Sequence, residues 1–97
     1  MINYTKVDGN NYGDIKLFAL STCGWCKKTK KFLEDNNIAF SYVYVDKLTG
    51  DDLNECLEVQ KKYNKEEAYP MVAIDEDSCI LGYNKAKLEK IMRPKNG

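Results

Sequence analysis

Ile15-Lys16-Leu17-Phe18-Ala19-Leu20-Ser21-Thr22-Cys23-Gly24-Trp25-Cys26 runs from a short apolar segment through two hydroxyl residues to a pair of cysteines three apart. The apolar segment rises out of the turn-rich stretch Asp8-Gly9-Asn10-Asn11-Tyr12-Gly13-Asp14, which marks Ile15 to Leu20 as a buried strand. Ser21 and Thr22 are both good N-caps. Beyond them Trp25 to Asn36 lacks Gly and Pro, and Cys26, Thr29 and Leu33 recur at helical spacing, so a helix is predicted to open near Cys23 and stop at Asn36-Asn37.

Working outward, Ile38 to Val45 reads as a second strand, with Phe40, Tyr42 and Tyr44 on one side and Val43 and Val45 on the other. Thr49 and the acids Asp51 and Asp52 open a second helix, in which Leu53, Cys56, Leu57 and Gln60 share one face; it should end near Tyr63. Pro70 precedes an apolar run, Met71 to Ile74, which turns at residues 75–78 and returns as Cys79 to Tyr83 in a hairpin pattern. Asn84 can cap a last helix from Lys85 to Met92 that buries Leu88, Ile91 and Met92, and Pro94 bars its continuation. The order is β-α-β-α-β-β-α. A right-handed crossover makes the first two strands parallel, and the tight turn makes the last two antiparallel. The expected α/β fold is therefore a mixed four-stranded sheet flanked by three helices. Ile2 to Val7 has the character of an extra N-terminal edge strand.

Ninety-seven residues at 43% apolar suit one domain with a single core, read as a core over 15–93 behind an N-terminal extension over 1–14. Fifteen basic against fifteen acidic residues leave no net field to attract nucleic acid or an anionic membrane. No apolar run is long enough to span a bilayer and the N-terminus lacks a signal-peptide pattern, so a cytoplasmic location is expected. The chain has no His, which removes the Ser/His and Cys/His nucleophile arrangements and the commonest nitrogen metal ligand.

Cys23-Gly24-Trp25-Cys26 carries the chemistry. Two thiols on the first helical turn can close a small disulfide ring without unfolding anything. Cys23 sits at the helix N-terminus, where unpaired N–H groups and the positive end of the dipole favour thiolate over thiol; this makes it the nucleophile. Cys26, one turn in and on the apolar stripe, suits the resolving role. A zinc site would need two further ligands, and Cys56 and Cys79 lie far away in sequence. Cys56 reads as a small buried hydrophobe and Cys79 similarly. Lys27, Lys28, Lys30 and Lys31 read as a solvated helix face, and Trp25 as an exposed platform for a partner.

Through Thr22-Cys23-Gly24-Trp25-Cys26, Tyr69-Pro70 before a strand, and Cys79-Ile80-Leu81-Gly82 leading into the last helix, the sequence resembles the glutaredoxin family over about residues 15 to 93. The resemblance implies a thioredoxin-like fold, a cis Tyr69-Pro70 bond facing the nucleophile, and a substrate lying against Thr22, Gly24, Trp25, Tyr69, Pro70, Gly82, Tyr83 and Asn84. It implies a dithiol–disulfide oxidoreductase that acts on disulfide-containing proteins or low-molecular-weight thiols as a monomer, is restored by a reductase or a thiol reductant, and needs no metal or organic cofactor. The other readings compatible with it are a thioredoxin-like or ribonucleotide-reductase-donor redoxin reduced by a flavoenzyme, and an iron–sulfur carrier holding a shared cluster through Cys23. Members of the family commonly carry Pro-Tyr between the cysteines, Thr-Val before the cis proline, a Lys three residues before the nucleophile, and an Asp after paired glycines. Here those positions read Gly24-Trp25, Ala68-Tyr69, Leu20 and Asn84. The two charges that would meet the ends of glutathione are thus replaced, which implies poor use of that tripeptide.

Overall fold

The computed structural model describes residues 2–76 and 78–92. Among them the chain runs β1 (Thr5–Val7), β2 (Ile15–Ala19), α1 (Gly24–Asp35), β3 (Phe40–Tyr44), α2 (Gly50–Tyr63), β4 (Met71–Ile74), β5 (Ser78–Leu81) and α3 (Lys85–Glu89), with 3-10 turns at Val45–Lys47 and Lys90–Met92. The sheet has five strands in the order β1-β3-β2-β4-β5. β2 and β3 are parallel, and β4 and β5 form the antiparallel hairpin. The N-terminal edge strand is present, reduced to Thr5–Val7 and paired antiparallel with β3.

β2 lies in the middle of the sheet and is covered on both faces. Leu17 and Ala19 enter a cluster with Cys26, Leu33, Val72, Ile80 and Leu88, while Phe18 enters a second one with Val43, Val45, Cys56 and Met71. Burial on both sides is why the segment reads as a continuous apolar run rather than an alternating one. β3 splits as its alternation predicts, with Phe40 in the first cluster and Val43 in the second.

Several boundaries differ from expectation. Val45 leaves β3 for a 3-10 turn, and Ile38 joins Asn10 only through an isolated bridge. β5 ends at Leu81 because Gly82 takes the left-handed conformation (φ 73°), so the strand does not reach Tyr83. α3 is α-helical only to Glu89 before tightening; Pro94 lies outside the described residues. α1 stops at Asn36-Asn37 through a reciprocal pair of bonds, Asn37 N–H to the Glu34 carbonyl (3.0 Å) and Ile38 N–H to that of Leu33 (3.0 Å), with Asn37 at φ 55°. At Gly9 an added Cβ would fall 2.7 Å from the backbone at Ile38 and Ala39, so only glycine lets the N-terminal segment lie this close to the start of β3.

Candidate active site at the end of the sheet

The register decides what meets what. Phe18 on β2 lies opposite Met71 on β4, and Met71 opposite Leu81 on β5. Past this rung the three chains leave the sheet on the same side, as residues 20–23, Tyr69-Pro70 and Gly82-Tyr83. Segments distant in sequence are brought together in this way.

The helix cap is a correction to the sequence reading. Neither Ser21 nor Thr22 caps α1. Cys23 holds that position with extended backbone (φ −89°, ψ 117°), and its Sγ accepts the Cys26 N–H at 3.2 Å. A thiol has the geometry of a serine hydroxyl, so the sulfur satisfies an N–H that a capping oxygen would otherwise take. Ser21 is engaged elsewhere: its N–H (2.9 Å) and hydroxyl (2.5 Å) both donate to Asp46, just after β3. Those bonds hold the Asp46 carboxyl below the usual carboxylate range. Thr22 is exposed.

Cys23 is half-buried and Cys26 only 1% exposed. Burial first, then the hydrogen bond to Cys23 and the charge there, push the Cys26 thiol up to about 12.

As the resemblance implies, the Tyr69-Pro70 peptide is cis, and Pro70 is buried. The Pro70 carbonyl accepts the Gly82 N–H at 2.8 Å, closing the open end of the hairpin. A groove of about 240 Å³ follows, lined by Trp25, Tyr69, Pro70, Gly82 and Tyr83. Trp25 lies on the first turn of α1. It is 59% exposed and stacks on Tyr83 with centroids 5.8 Å apart and planes at 21°. Gly24 is exposed beside it. Asn84 does not line the groove; its side-chain oxygen accepts the Lys87 N–H (3.1 Å) as the cap of α3.

Two neighbours of the site escape a reading of the sequence. Gln60, buried on the inner face of α2, accepts the Tyr69 hydroxyl at 3.4 Å and the Cys56 thiol at 3.6 Å, so a residue on the helical apolar stripe buttresses the one before Pro70. Lys28 is not simply solvated, since its ammonium lies 5.2 Å from the Trp25 ring centroid and 5.0 Å from that of Tyr83. The i,i+3 spacing of Trp25 and Lys28 is the only local signal for this contact. Cys56 is fully buried, as its period predicts. Cys79 packs beside the second cluster, with its thiol toward the Tyr63 carbonyl, two residues back along β5 from the Met71–Leu81 rung. Among the described residues no group of three or more Cys, Asp or Glu is arranged to hold a metal ion, and no helix is long and apolar enough to cross a membrane.

The family model for Glutaredoxin matches residues 15–79. An uncharacterized glutaredoxin-like 8.6 kDa protein in the rubredoxin operon of Clostridium pasteurianum is 38% identical over 78 residues, 80% of this chain and 96% of that protein. Among solved structures, a glutaredoxin from Methanosarcina mazei Go1 superposes with a TM-score of 0.86 at 34% identity, covering 95% of this chain and 90% of that one. Methanoredoxin from Methanosarcina acetivorans gives 0.82 at 31% identity, over 87% and 88% of the two chains.

Proposed function

The chain belongs to the glutaredoxin family and has its thioredoxin-like fold, and from that premise we propose that it is a dithiol–disulfide oxidoreductase working through Cys23 and Cys26. The observation that carries this reading is the Cys26 N–H donated to the Cys23 sulfur at 3.2 Å, on the first turn of α1. That N–H stabilises negative charge on the sulfur without any rearrangement when the charge arises.

The Cys23 thiolate attacks one sulfur of a substrate disulfide. A Cys23–substrate bond forms, the substrate S–S bond breaks, and the other substrate half leaves as thiolate. Cys26 then surrenders its proton to that thiolate or to solvent and attacks the Cys23 sulfur, releasing the second half and closing the Cys23–Cys26 disulfide. The substrate has gained two electrons and the protein has lost them; an external thiol or reductase restores the pair. Burial is the leading cause that keeps Cys26 protonated until it is called on. In the groove, Tyr69, Pro70 and Gly82 present backbone and ring surface to the substrate segment, and Trp25 and Tyr83 form its side wall. Thr22 and Gly24 flank the nucleophile on its exposed side.

Glutathione is a poor occupant in this reading. The Leu20 side chain packs against the second core cluster, and Asn84 spends its oxygen on the α3 cap. The deciding experiment compares re-reduction of the oxidised protein by glutathione and by a thioredoxin-reductase system. Recovery of the Cys23 and Cys26 thiols by at least one of them, with stoichiometric loss of a model disulfide, is the expected result. A protein in which neither thiol ever enters a disulfide with substrate refutes the proposal.

A further inference from the structure

Lys28 stands between two grooves. The first is the one beside Pro70; the second, of about 510 Å³, lies along α1 and α3 and is lined by Lys28, Phe32, Tyr83, Lys85 and Met92 among others. Tyr83 lines both, so the Trp25–Tyr83 stack is the ridge between them, with the Lys28 ammonium close to both rings.

The charges around the second groove are not balanced. On the same helix Lys30 pairs with Glu34 (3.5 Å) and Lys31 with Asp35 (3.2 Å). Lys28 and Lys85 have no ion-pair partner among the described residues, and of the two carboxylates in the lining Asp35 is already engaged, leaving Glu89. An ammonium held over aromatic rings has already lost much of its side-chain freedom, so a carboxylate that meets it loses less entropy than at a free surface lysine.

We propose that the two grooves form one docking surface for an extended acidic polypeptide, which enters beside Pro70 with its disulfide cysteine, crosses the Trp25–Tyr83 ridge and lays apolar and acidic side chains between α1 and α3, with Lys28 selecting for the acidic charge. The proposal rests on the redox reading above and names its partner class: a protein disulfide followed by an acidic, partly apolar segment, rather than a small thiol that would fill only the first groove.

Trp25 is the only tryptophan in the chain, so its fluorescence reports occupancy of the ridge without any redox chemistry. The probes are synthetic peptides with Ser in place of the reactive Cys: one with Glu residues downstream, one with Lys at those positions, and a truncated form of the acidic peptide that ends before the ridge. The reduced full chain is titrated with each. The acidic peptide binds about fivefold tighter than the basic one, the size expected of an exposed but well-held ion pair. Lys28→Met removes the difference, Lys28→Glu inverts it, and Lys62→Met, exposed on α2, leaves it as in the wild type. Equal affinity for the two charge forms, a preference that survives Lys28→Met, or a truncated peptide that binds as tightly as the long one overturns the proposal. Turnover of neutral bis(2-hydroxyethyl) disulfide is measured in parallel. If that turnover is absent while the charge preference persists, the redox reading fails and the docking surface stands; turnover without charge preference has the opposite meaning.

Discussion

A thiol that caps a helix is a stabilising residue and a reactive one at once, and the two cysteines here differ in which role dominates. Cys23 accepts an N–H and is half-buried; Cys26 lies in the core. Replacing Cys23 by Ser should keep a capping atom and abolish disulfide reduction, since a hydroxyl is neither ionised nor a sulfur nucleophile at neutral pH. Cys26→Ser should instead accumulate a mixed disulfide with substrate, seen as a mass increase that a reductant removes; a Cys26→Ser protein with no adduct reverses the roles. A second prediction concerns pH. In Cys23→Ser, burial alone still disfavours the Cys26 thiolate, so its alkylation, followed by peptide mass mapping, should keep rising past about pH 10. A plateau below about pH 9, close to the ordinary thiol value of 9.0, is incompatible with the burial described. A third tests the replaced charges: Leu20→Lys/Asn84→Asp should raise turnover with glutathione and glutathione reductase by about tenfold or more, because each charge-assisted contact contributes about 1.5 to 3 kcal/mol. A carboxylate caps a helix as well as an amide does, so Asn84→Asp retains the α3 cap and a failure to gain could not be blamed on the helix.

The elements that carry the site are short, and their ends matter more than their middles. α3 has five residues before its 3-10 turn, so losing the Asn84 cap removes a large share of its local order. Asn84→Ala should cost about 1 kcal/mol, read as a fall of roughly 4–8 °C in melting temperature for a domain of this size, while Asn84→Asp leaves it near wild type. The helices and strands themselves were largely legible. Cys26, Thr29 and Leu33 at helical spacing are all buried, and Phe40 and Val43 fall on opposite faces of β3. What could not be read is what depends on partners far away in sequence. The edge strand expected over Ile2 to Val7 forms only at Thr5–Val7, and it is the length of that pairing with β3, not the strand itself, that the sequence leaves open. The cap of α1 falls to Cys23, while Ser21 is tied by both of its donors to Asp46 beyond β3, a contact between segments 25 residues apart. Lys28 on its rings and Gln60 beneath Tyr69 are likewise contacts between elements. Propensity and period describe one element at a time and are silent about such pairs.

For the molecule as a whole, burying neutral acids has a consequence at high pH. Cys26 (about 12), Cys56 (about 11) and Tyr4 (about 12, edge-on to Phe18) all hold their protons longer than they would in the unfolded chain, with burial as the leading cause. Between the unfolded values of 9.0 for the thiols or 10.0 for Tyr4 and these folded ones, the native state binds more protons, so stability falls as pH rises. Their contribution is complete below about pH 9 and is lost towards about pH 11 to 12. Urea midpoints of the reduced protein at pH 8, 9, 10 and 11 should decline progressively, and Cys56→Ala should show a shallower decline; flat midpoints across that range would contradict the burial of all three. The sheet-end rung has an implication of another kind. Tyr69, Pro70, Gly82 and Tyr83 belong to one contiguous stretch that enters and leaves as the β4–β5 hairpin, whereas both thiols proposed to react come from the β2–α1 junction. Reactivity is thus written in one part of the gene together with Trp25 and Lys28, and the facing side of the groove in another, so a single recombination breakpoint between α2 and Tyr69 would set the same cysteines against a new half of the groove.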